Sequence, residues 1–389
     1  MNKHEWIKIN FTTLKHVFLL LVVTTFGSII ALYSIATTDR QLWKPTAAKK
    51  FQILMYNEPI SPDYIRFMKL GLGQENCSNC DVIEQYDGQD TIEYDAIVFT
   101  FNRIKLTDPV FKRRHPEQLY VWHTIESTST VLYFHHSSME GYSGVFNLTM
   151  THRRDSDVWT PYGTIPEIKN ALREKFSPLT PEVLNEVVNR KKSLVVWVVS
   201  NCGLTLGAKR RLEIVNELKK TKIGSRLELY GSCGEFWKSF KTTKSGYEKM
   251  NSIIQTHKFY LAFENSYHCR DYITEKFWQN SLLNAAVPIV WGPKKNEVLE
   301  VAPSGSFIHF EDFKNITELA DYLLYLDRND TAYKEYFSWW FQPNEDIGPL
   351  RLCKLCAILN DNNRKPQSIN YFESWFYSNE HGNCLLKQL

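Results

Sequence analysis

Short apolar runs alternate with polar, helix-like segments along most of this 389-residue chain. Near-continuous apolar runs of this kind are typical of buried strands in a parallel α/β sheet. The alternation begins at residue 51 and restarts near residue 193, after a proline-containing helical connector at residues 166–192. It predicts strands at Phe51–Tyr56, Asp95–Phe101, Gln118–His123, Leu194–Val199, Arg226–Tyr230, Phe259–Phe263 and Ala285–Trp291. We therefore expect two Rossmann-like, doubly wound α/β domains facing a ligand cleft, at residues 51–185 and 186–340, followed by a C-terminal tail at residues 341–389.

The most informative stretch is Phe259–Pro293, which indicates one β–α–β unit. Glu264 follows its first strand, and Thr274 is suited to cap a helix with Glu275 and Lys276 in its first turn. That helix is predicted to bury Phe277, Trp278, Leu282 and Leu283. Parallel sheets bind ligands at the carboxyl ends of their strands, and a helix start disfavours a cation. Lys276 therefore indicates an anionic ligand, unless it and Glu275 are ordinary solvated residues.

An uncharged apolar run at residues 17–36 is long enough to cross a bilayer as a helix. A cleaved signal peptide is the alternative, but its apolar core would be shorter and would precede a small-residue cleavage site. We expect a cytoplasmic tail at residues 1–16, an uncleaved signal anchor at 17–36 and a stem at 37–50. Flanking basic residues do not decide the orientation. Four sequons are candidate N-glycosylation sites: Asn76, Asn147, Asn315 and Asn329. They favour a location of the C-terminal part outside the cytosol.

The arrangement of the eight cysteines also suits an oxidising compartment. Two CxxC pairs, Cys77–Cys80 and Cys353–Cys356, lie near the two ends of the region that follows the stem. They could supply four thiolates to a structural zinc, but disulfides within or between the two ends are favoured in a lumen. The sequence does not determine how the others pair: Cys202, Cys233, Cys269 and Cys384. The first pair to test is Cys202 with Cys233, because both lie in turn-like segments of one predicted domain.

Composition narrows the classes of partner. The chain has 46 basic and 43 acidic residues and no polybasic run, which argues against a nucleic-acid partner. Aromatic residues make up 14% of the chain, and they suit both sugar rings and protein cores.

Several sequence blocks, in order, resemble the α1,3-fucosyltransferase family of inverting, Golgi-anchored glycosyltransferases that use GDP-fucose. The segments FYLAFENS, DYITEKFW and VPIVWGP within Phe259–Pro293 match the family signature. Further similar blocks are Trp122–Ser127, Phe146–Gly163, Leu194–Asn201, Ser306–Phe313, Leu323–Asn329 and the terminal CxxC at Cys353–Cys356. The resemblance covers most of residues 51–356 and implies a GT-B type fold, preceded by one transmembrane helix.

The resemblance also implies roles for particular residues. Glu126 takes the position of the base that deprotonates the acceptor hydroxyl while the diphosphate leaves from the opposite side. Arg211 and Lys276 match the basic residues that bind the diphosphate, although a register shift would substitute Arg210 or Lys209 for Arg211. Other donor-binding residues at the same edge are Glu264, Asn265, Tyr272 and Glu275.

The implied reaction transfers L-fucose from GDP-fucose to the 3-hydroxyl of GlcNAc in glycoprotein or glycolipid glycans, without a tightly bound cofactor. Tyr272 could instead be a core residue. Cys269 and Arg270 depart from many Lewis-type relatives, so Lewis-type antennae and N-glycan cores both remain open as acceptors. The family implies a single-pass type II protein of the Golgi membrane with a lumenal catalytic domain, and a homodimer is compatible with it.

Asp155 and Asp157 form a DxD motif, which suggests a rival, metal-dependent glycosyltransferase. A local turn role is favoured, because basic residues already occupy the diphosphate position in the other domain. A divalent cation, Mn²⁺ or Mg²⁺, could still stimulate activity. A catalytically inactive glycan-binding paralogue is a further alternative, but it would be expected to lack Glu126, Lys276 or Arg211.

Overall fold

A computed structural model of the chain describes residues 50–56, 62–73, 77–84, 91–101, 104–111, 114–135, 140–234, 244–364, 367–377 and 384. The predicted cytoplasmic tail, the anchor, nearly all of the stem and the sequon at Asn76 lie outside these residues. Among the helices of the described ranges, none is both long and apolar enough to cross a membrane.

The N-terminal sheet of the described chain contains six parallel strands in the order β2-β1-β3-β4-β5-β6. The strands are β1 (Phe51–Tyr56), β2 (Cys80–Ile83), β3 (Ala96–Thr100), β4 (Leu119–Thr124), β5 (Leu148–Thr151) and β6 (Val158–Trp159). The central strand β4 is buried along its whole length, as expected for a parallel sheet covered on both faces. The three strands predicted in this half of the chain are confirmed to within one residue at each end.

The C-terminal sheet contains five parallel strands among the described residues, in the order β11-β10-β9-β7-β8. The strands are β7 (Ser193–Val198), β8 (Leu227–Tyr230), β9 (His257–Phe263), β10 (Val287–Trp291) and β11 (Ile308–His309). All seven residues of β9 are buried, so this strand forms the centre of the larger core. The predicted strands of this half are confirmed, with ends that differ by at most two residues.

Helices connect the strands and cover the sheets. Those of the described residues are α1 (Pro62–Met68), α2 (Thr128–His135), α3 (Ile165–Phe176), α4 (Pro181–Asn189), α5 (Leu206–Lys219), α6 (Lys244–Gln255), α7 (Lys295–Leu299), α8 (Ile316–Arg328), α9 (Asp330–Glu335), α10 (Arg351–Leu359) and α11 (Phe372–Tyr377). Threonine side chains cap α3, α4 and α5, since Thr164, Thr180 and Thr205 each accept a backbone N–H three residues on.

Some helices pack on a different sheet from the one that the predicted domain boundaries would give them. Leu172 of α3 and Leu184 of α4 pack in the core of the C-terminal sheet, so the connector belongs to that half. Leu355 of α10 and Phe376 of α11 pack against the N-terminal sheet. The region predicted as a C-terminal tail, residues 341–389, thus contains two helices whose apolar faces complete the N-terminal core.

Four disulfides pair all eight cysteines. Cys77–Cys353 and Cys80–Cys356 join the two CxxC pairs to each other, so these four thiols are not available to a zinc ion. Both bonds tie α10 to the region where β2 begins. Cys202 bonds Cys233, the pair favoured by their turn-like positions, and Cys269 bonds Cys384.

Candidate active site

Glu264 follows β9 at the carboxyl edge of the C-terminal sheet. Its carboxylate is buried and accepts hydrogen bonds from the backbone N–H and the hydroxyl of Thr274, each at 2.9 Å. Burial raises the pKa of Glu264, and the Lys276 ammonium 3.1 Å away opposes that shift. Thr274 thus anchors the buried carboxylate, a contact that its predicted role as a helix cap did not include.

Lys276 lies at the centre of this polar cluster. Its ammonium donates to the Thr274 hydroxyl at 2.8 Å and to Glu275 at 2.9 Å, besides its ion pair with Glu264. Burial acts to lower the pKa of Lys276, but the two carboxylates outweigh it and raise the pKa. The Glu275 side chain is 47% exposed; partial desolvation acts to raise its pKa, but the Lys276 ammonium prevails and lowers it. The cluster therefore holds a charged amine in a fixed position at neutral pH.

The helix that begins at Lys276 differs from the predicted α-helix. Lys276–Ser281 is π-helical and continues as a 3₁₀ turn at Leu282–Asn284. The left-handed backbone of Ala285, with φ of 52°, ends the turn, and the Ser281 hydroxyl donates to the Lys276 carbonyl at 2.6 Å. Single π-helical turns occur frequently at functional sites. Of the predicted apolar face, Phe277, Trp278 and Leu282 are buried and Leu283 is half-buried.

Glu126 follows β4 at the carboxyl edge of the N-terminal sheet. Its backbone N–H donates to the Thr124 hydroxyl at 3.2 Å, and its carboxylate accepts the Tyr272 hydroxyl at 3.2 Å. Glu126 is exposed to solvent by surface area, but the protein atoms around its carboxylate are dense enough to desolvate it in part and raise its pKa. Lys276 opposes this shift and Glu275 reinforces it, so Glu126 shares an electrostatic environment with the lysine cluster.

The two carboxyl edges meet directly beside Glu126. The hydroxyls of Ser127 and Ser266 are 2.5 Å apart, and the Asn265 amide reaches the Thr130 hydroxyl at 3.5 Å. Ser127 and Thr130 follow β4, whereas Ser266 and Asn265 follow β9. The segments after these two strands are therefore in contact. The site is therefore built from both halves of the chain.

Arg211 of α5 lies beneath the site, with only 2% of its surface exposed. Its guanidinium donates to the carbonyls of Phe263 at 2.8 Å and Asn201 at 3.0 Å, at the ends of β9 and β7. Its Nε is buried and has no hydrogen-bond partner among the described residues. Arg210 and Lys209 are exposed. Of the three basic residues, Arg211 alone contacts the strand ends beside Glu264.

Both aspartates of the DxD motif are engaged in the turn between β5 and β6. Asp155 accepts two hydrogen bonds from Arg153, at 2.8 and 2.6 Å, and Arg270 lies 3.2 Å from it. Asp157 accepts the backbone N–H and the hydroxyl of Thr149, both at 2.8 Å. Within the described residues, no group of three His, Cys, Asp or Glu side chains is arranged to hold a metal ion.

Tyr162 and His152 were not singled out from the sequence. Their rings contact Tyr272, with centroid distances of 6.2 Å and 5.2 Å, and the Tyr162 hydroxyl donates to the Ile125 carbonyl at 2.9 Å. Burial lowers the pKa of His152 to about 4, so its ring is neutral. Both residues lie in the block Phe146–Gly163, but no charge or spacing pattern distinguishes them there.

Three of the predicted sequons lie in described residues. The Asn147 amide oxygen accepts the Tyr120 backbone N–H at 2.8 Å, and its nitrogen donates to the Gln367 carbonyl at 2.6 Å. Asn315 and Asn329 cap the helices that follow them, and Asn315 is exposed.

Two parallel α/β sheets whose carboxyl edges share one polar site define a GT-B-like protein. Residues 48–163 match a family model for the fucosyltransferase N-terminal region, and residues 188–375 match the model for glycosyltransferase family 10 (fucosyltransferase), C-terminal region. The chain belongs to glycosyltransferase family 10, the fucosyltransferases.

Similar proteins agree with this assignment. The chain is 34% identical over 275 residues to 4-galactosyl-N-acetylglucosaminide 3-alpha-L-fucosyltransferase 9 from Bos taurus, covering 70% of this chain and 68% of that protein. It is 35% identical over 267 residues to alpha-(1,3)-fucosyltransferase 4 from Mus musculus, covering 68% of this chain and 56% of that protein. The chain spans less than two thirds of the length of the first curated relatives that it matches.

A solved structure supports the fold. A crystal structure of an alpha1,3-fucosyltransferase aligns with a TM-score of 0.51 at 16% identity, covering 84% of this chain and 93% of that one.

Proposed function

We propose that this chain is an α1,3-fucosyltransferase that moves L-fucose from GDP-fucose, with inversion, onto the 3-hydroxyl of GlcNAc in glycoprotein or glycolipid glycans. The observation that carries the proposal is a single site formed by Glu126 from one half of the chain and Lys276 from the other. Membership of the fucosyltransferase family supports it. The name of the bovine relative describes fucose transfer to position 3 of a 4-galactosyl-N-acetylglucosaminide.

Glu126 is the base in this proposal. Transfer with inversion requires a group that removes the acceptor proton as the hydroxyl attacks the sugar from the side opposite the diphosphate. A carboxylate with a raised pKa is a better base than an ordinary one while it remains ionised at neutral pH. Burial raises the pKa of Glu126, which suits this role.

Lys276 stabilises the departing diphosphate in this proposal. Negative charge accumulates on the leaving group in the transition state, and a fixed cation stabilises it without reorganisation. Glu264, Glu275 and Thr274 hold the ammonium in position. The buried guanidinium of Arg211 adds positive potential from beneath, while Asn265 and Glu275 are proposed to contact the donor.

Transfer is proposed to need no fixed metal, although Mn²⁺ or Mg²⁺ can stimulate it. We also propose a lumenal catalytic domain anchored in the Golgi membrane by residues 17–36, as a single-pass type II protein. The uncharged apolar run and the sequons support this location. The acceptor is proposed to be either a Lewis-type antenna or an N-glycan core.

The full-length chain in detergent, incubated with GDP-fucose and an acceptor panel, tests the activity. The panel contains N-acetyllactosamine, its type 1 isomer, LacdiNAc and N-glycan cores, with and without chelator. We expect fucose on the 3-hydroxyl of GlcNAc in at least one acceptor and measurable transfer in chelator. Intact GDP-fucose binding with no transfer to any acceptor would favour a glycan-binding protein instead, and complete loss in chelator would contradict the metal-independent mechanism.

A further inference from the structure

We propose that the Cys269–Cys384 disulfide fixes the His268–Tyr272 loop and, through Tyr272, positions the Glu126 carboxylate for proton removal. This inference rests on the proposed function, in which Glu126 is the base. The disulfide and Tyr272 are positioning groups in this account, because they act on the reaction through Glu126.

The disulfide packs directly on Tyr272. Cys269, Tyr272 and Cys384 form one buried cluster, with exposures of 3%, 2% and 0%, and Tyr162 packs against it. The Tyr272 backbone N–H donates to the Cys269 carbonyl at 3.2 Å. Because a single tight turn separates the two residues, a displacement of Cys269 is passed on to Tyr272.

Tyr272 transmits this position to Glu126. Its hydroxyl donates to the Glu126 carboxylate at 3.2 Å. Its ring is held edge-on by His152, with centroids 5.2 Å apart, and by Tyr162, with centroids 6.2 Å apart. A ring confined in this way cannot reorient to follow a displaced partner, so the hydrogen bond depends on where the backbone of the loop lies.

The loop needs to be fixed because its backbone is strained. His268 and Asp271 have φ values of 50° and 56°, in the left-handed region that residues other than glycine rarely adopt. Such conformations persist only where surrounding contacts impose them. One contact is the hydrogen bond from the His268 N–H to the Gly292 carbonyl at 2.6 Å.

Different contacts hold the two ends of the loop. Arg154 donates to the Asp271 carboxylate from its backbone N–H at 3.0 Å and from its Nε at 2.8 Å. Cys269 is held instead by its covalent bond to Cys384, and its sulfur lies 4.0 Å from the Ser129 hydroxyl. The disulfide is the covalent contact of this loop, and its removal leaves the ion pair of Asp271 and the hydrogen bond from His268 to Gly292 in place.

The test uses the full-length chain and two double variants. C269A/C384A removes the proposed tether without leaving a free thiol. C77A/C353A is the matched control, because that disulfide lies at the opposite edge of the N-terminal sheet, where β2 begins. Transfer kinetics with GDP-fucose, the pH profile of kcat and near-ultraviolet circular dichroism are measured for both.

C269A/C384A is expected to lower kcat by roughly tenfold, the rate equivalent of one lost hydrogen bond, with the KM for GDP-fucose changed by less than about twofold. The acidic limb of its pH profile should move to higher pH, because the Tyr272 hydroxyl favours the ionised form of Glu126. Tyr272→Phe should reproduce both effects with the disulfide intact, while C77A/C353A keeps the wild-type kcat and profile.

Combining Tyr272→Phe with C269A/C384A should lower kcat no further than either change alone. The inference is overturned if folded C269A/C384A, or Tyr272→Phe, keeps the wild-type kcat and pH profile. It is also overturned if the fold-reduction in kcat of the combined variant equals the product of the two separate reductions. A wild-type chain that transfers no fucose would refute the proposed function itself and, with it, the role of Glu126. An active wild type with an unaffected C269A/C384A would refute the tether alone.

Discussion

Glu126, which is exposed to solvent, and Lys276, which is largely buried, act on each other electrostatically but differ in their chemistry. Burial is the first influence on the pKa of each. For Glu126 burial prevails and raises the pKa, which makes the carboxylate a stronger base. For Lys276 the carboxylates of Glu264 and Glu275 prevail, and the amine stays charged. One residue is thus suited to accept a proton and the other to stabilise negative charge.

The pH dependence of transfer follows from the sign of the Glu126 shift. A raised pKa means that Glu126 becomes protonated, and loses its function as a base, at a higher pH than an ordinary glutamate. We expect kcat/KM for the acceptor to fall on the acidic side with a midpoint above the usual glutamate range. The charged and titratable groups acting on Glu126 are Lys276, Glu275 and Tyr272, and Lys276 stays protonated throughout this range.

Transfer rates measured over a pH series, with saturating donor, give the acidic limb of the kcat/KM profile. In the control, the enzyme is preincubated at each pH and assayed at neutral pH, which excludes denaturation as the cause of the fall. Full activity down to the pH at which an ordinary glutamate titrates would contradict the role of burial.

The sequence indicated which polar side chains lie together better than it indicated their hydrogen-bond partners. Glu264, Glu275 and Lys276 lie together, as their places at one strand end and helix start indicated. The hydrogen bond from Tyr272 to Glu126 joins residues 146 positions apart, and no local pattern encodes it. Tyr272 is buried, as its alternative role as a core residue predicted, and it also hydrogen-bonds Glu126, while its contact with the donor stays a prediction.

At the scale of elements, α5 positions the loop that follows β9. The backbone of Gly207, in the first turn of α5, lies so close to this loop that a Cβ atom would fall 2.6 Å from the Ser266 Cα and 2.7 Å from the Asn265 carbonyl oxygen. The Thr205 hydroxyl, which caps α5, also bonds the Asn265 carbonyl. The start of this helix therefore determines where Asn265 and Ser266 meet the N-terminal half.

Gly207→Ala is expected to destabilise the protein and to impair catalysis. Alanine normally stabilises a helix by about 1 kcal/mol relative to glycine, but overpacking costs about 1–3 kcal/mol and should prevail here. Thermal unfolding should show a lower Tm, and steady-state kinetics should show a lower kcat/KM. Leu206→Ala is the matched control, because that neighbouring side chain is 48% exposed. A Gly207→Ala variant with raised Tm and unchanged kinetics would contradict this packing.

Strand positions could be predicted because continuous apolar runs report burial on both faces of a sheet. The π-helix at Lys276–Ser281 could not be predicted, since its apolar residues Phe277 and Trp278, together with Leu282 of the following 3₁₀ turn, also fit an α-helical face. The difference lies in the backbone, where the left-handed Ala285 ends the helical segment.

At the scale of the whole molecule, the chain crosses between its two halves more than once. It leaves the N-terminal sheet after β6, builds the C-terminal sheet, and returns so that α10 and α11 pack on the first sheet. Disulfides Cys77–Cys353 and Cys80–Cys356, each spanning 276 residues, fasten that return. The alternation of strands and helices predicted two sheets. The return could not be predicted, because an amphipathic helix does not specify which sheet it covers.

The central claim is that Glu126 from one half acts as the base on a donor held by the other half. The most direct measurement compares kcat and GDP-fucose affinity of the wild type and Glu126→Gln, with Glu174→Gln on an exposed part of α3 as the control. We predict that Glu126→Gln lowers kcat by about 10²- to 10⁴-fold, as for loss of a general base, while GDP-fucose affinity and the control stay close to wild type. Near-normal turnover of Glu126→Gln would contradict the account.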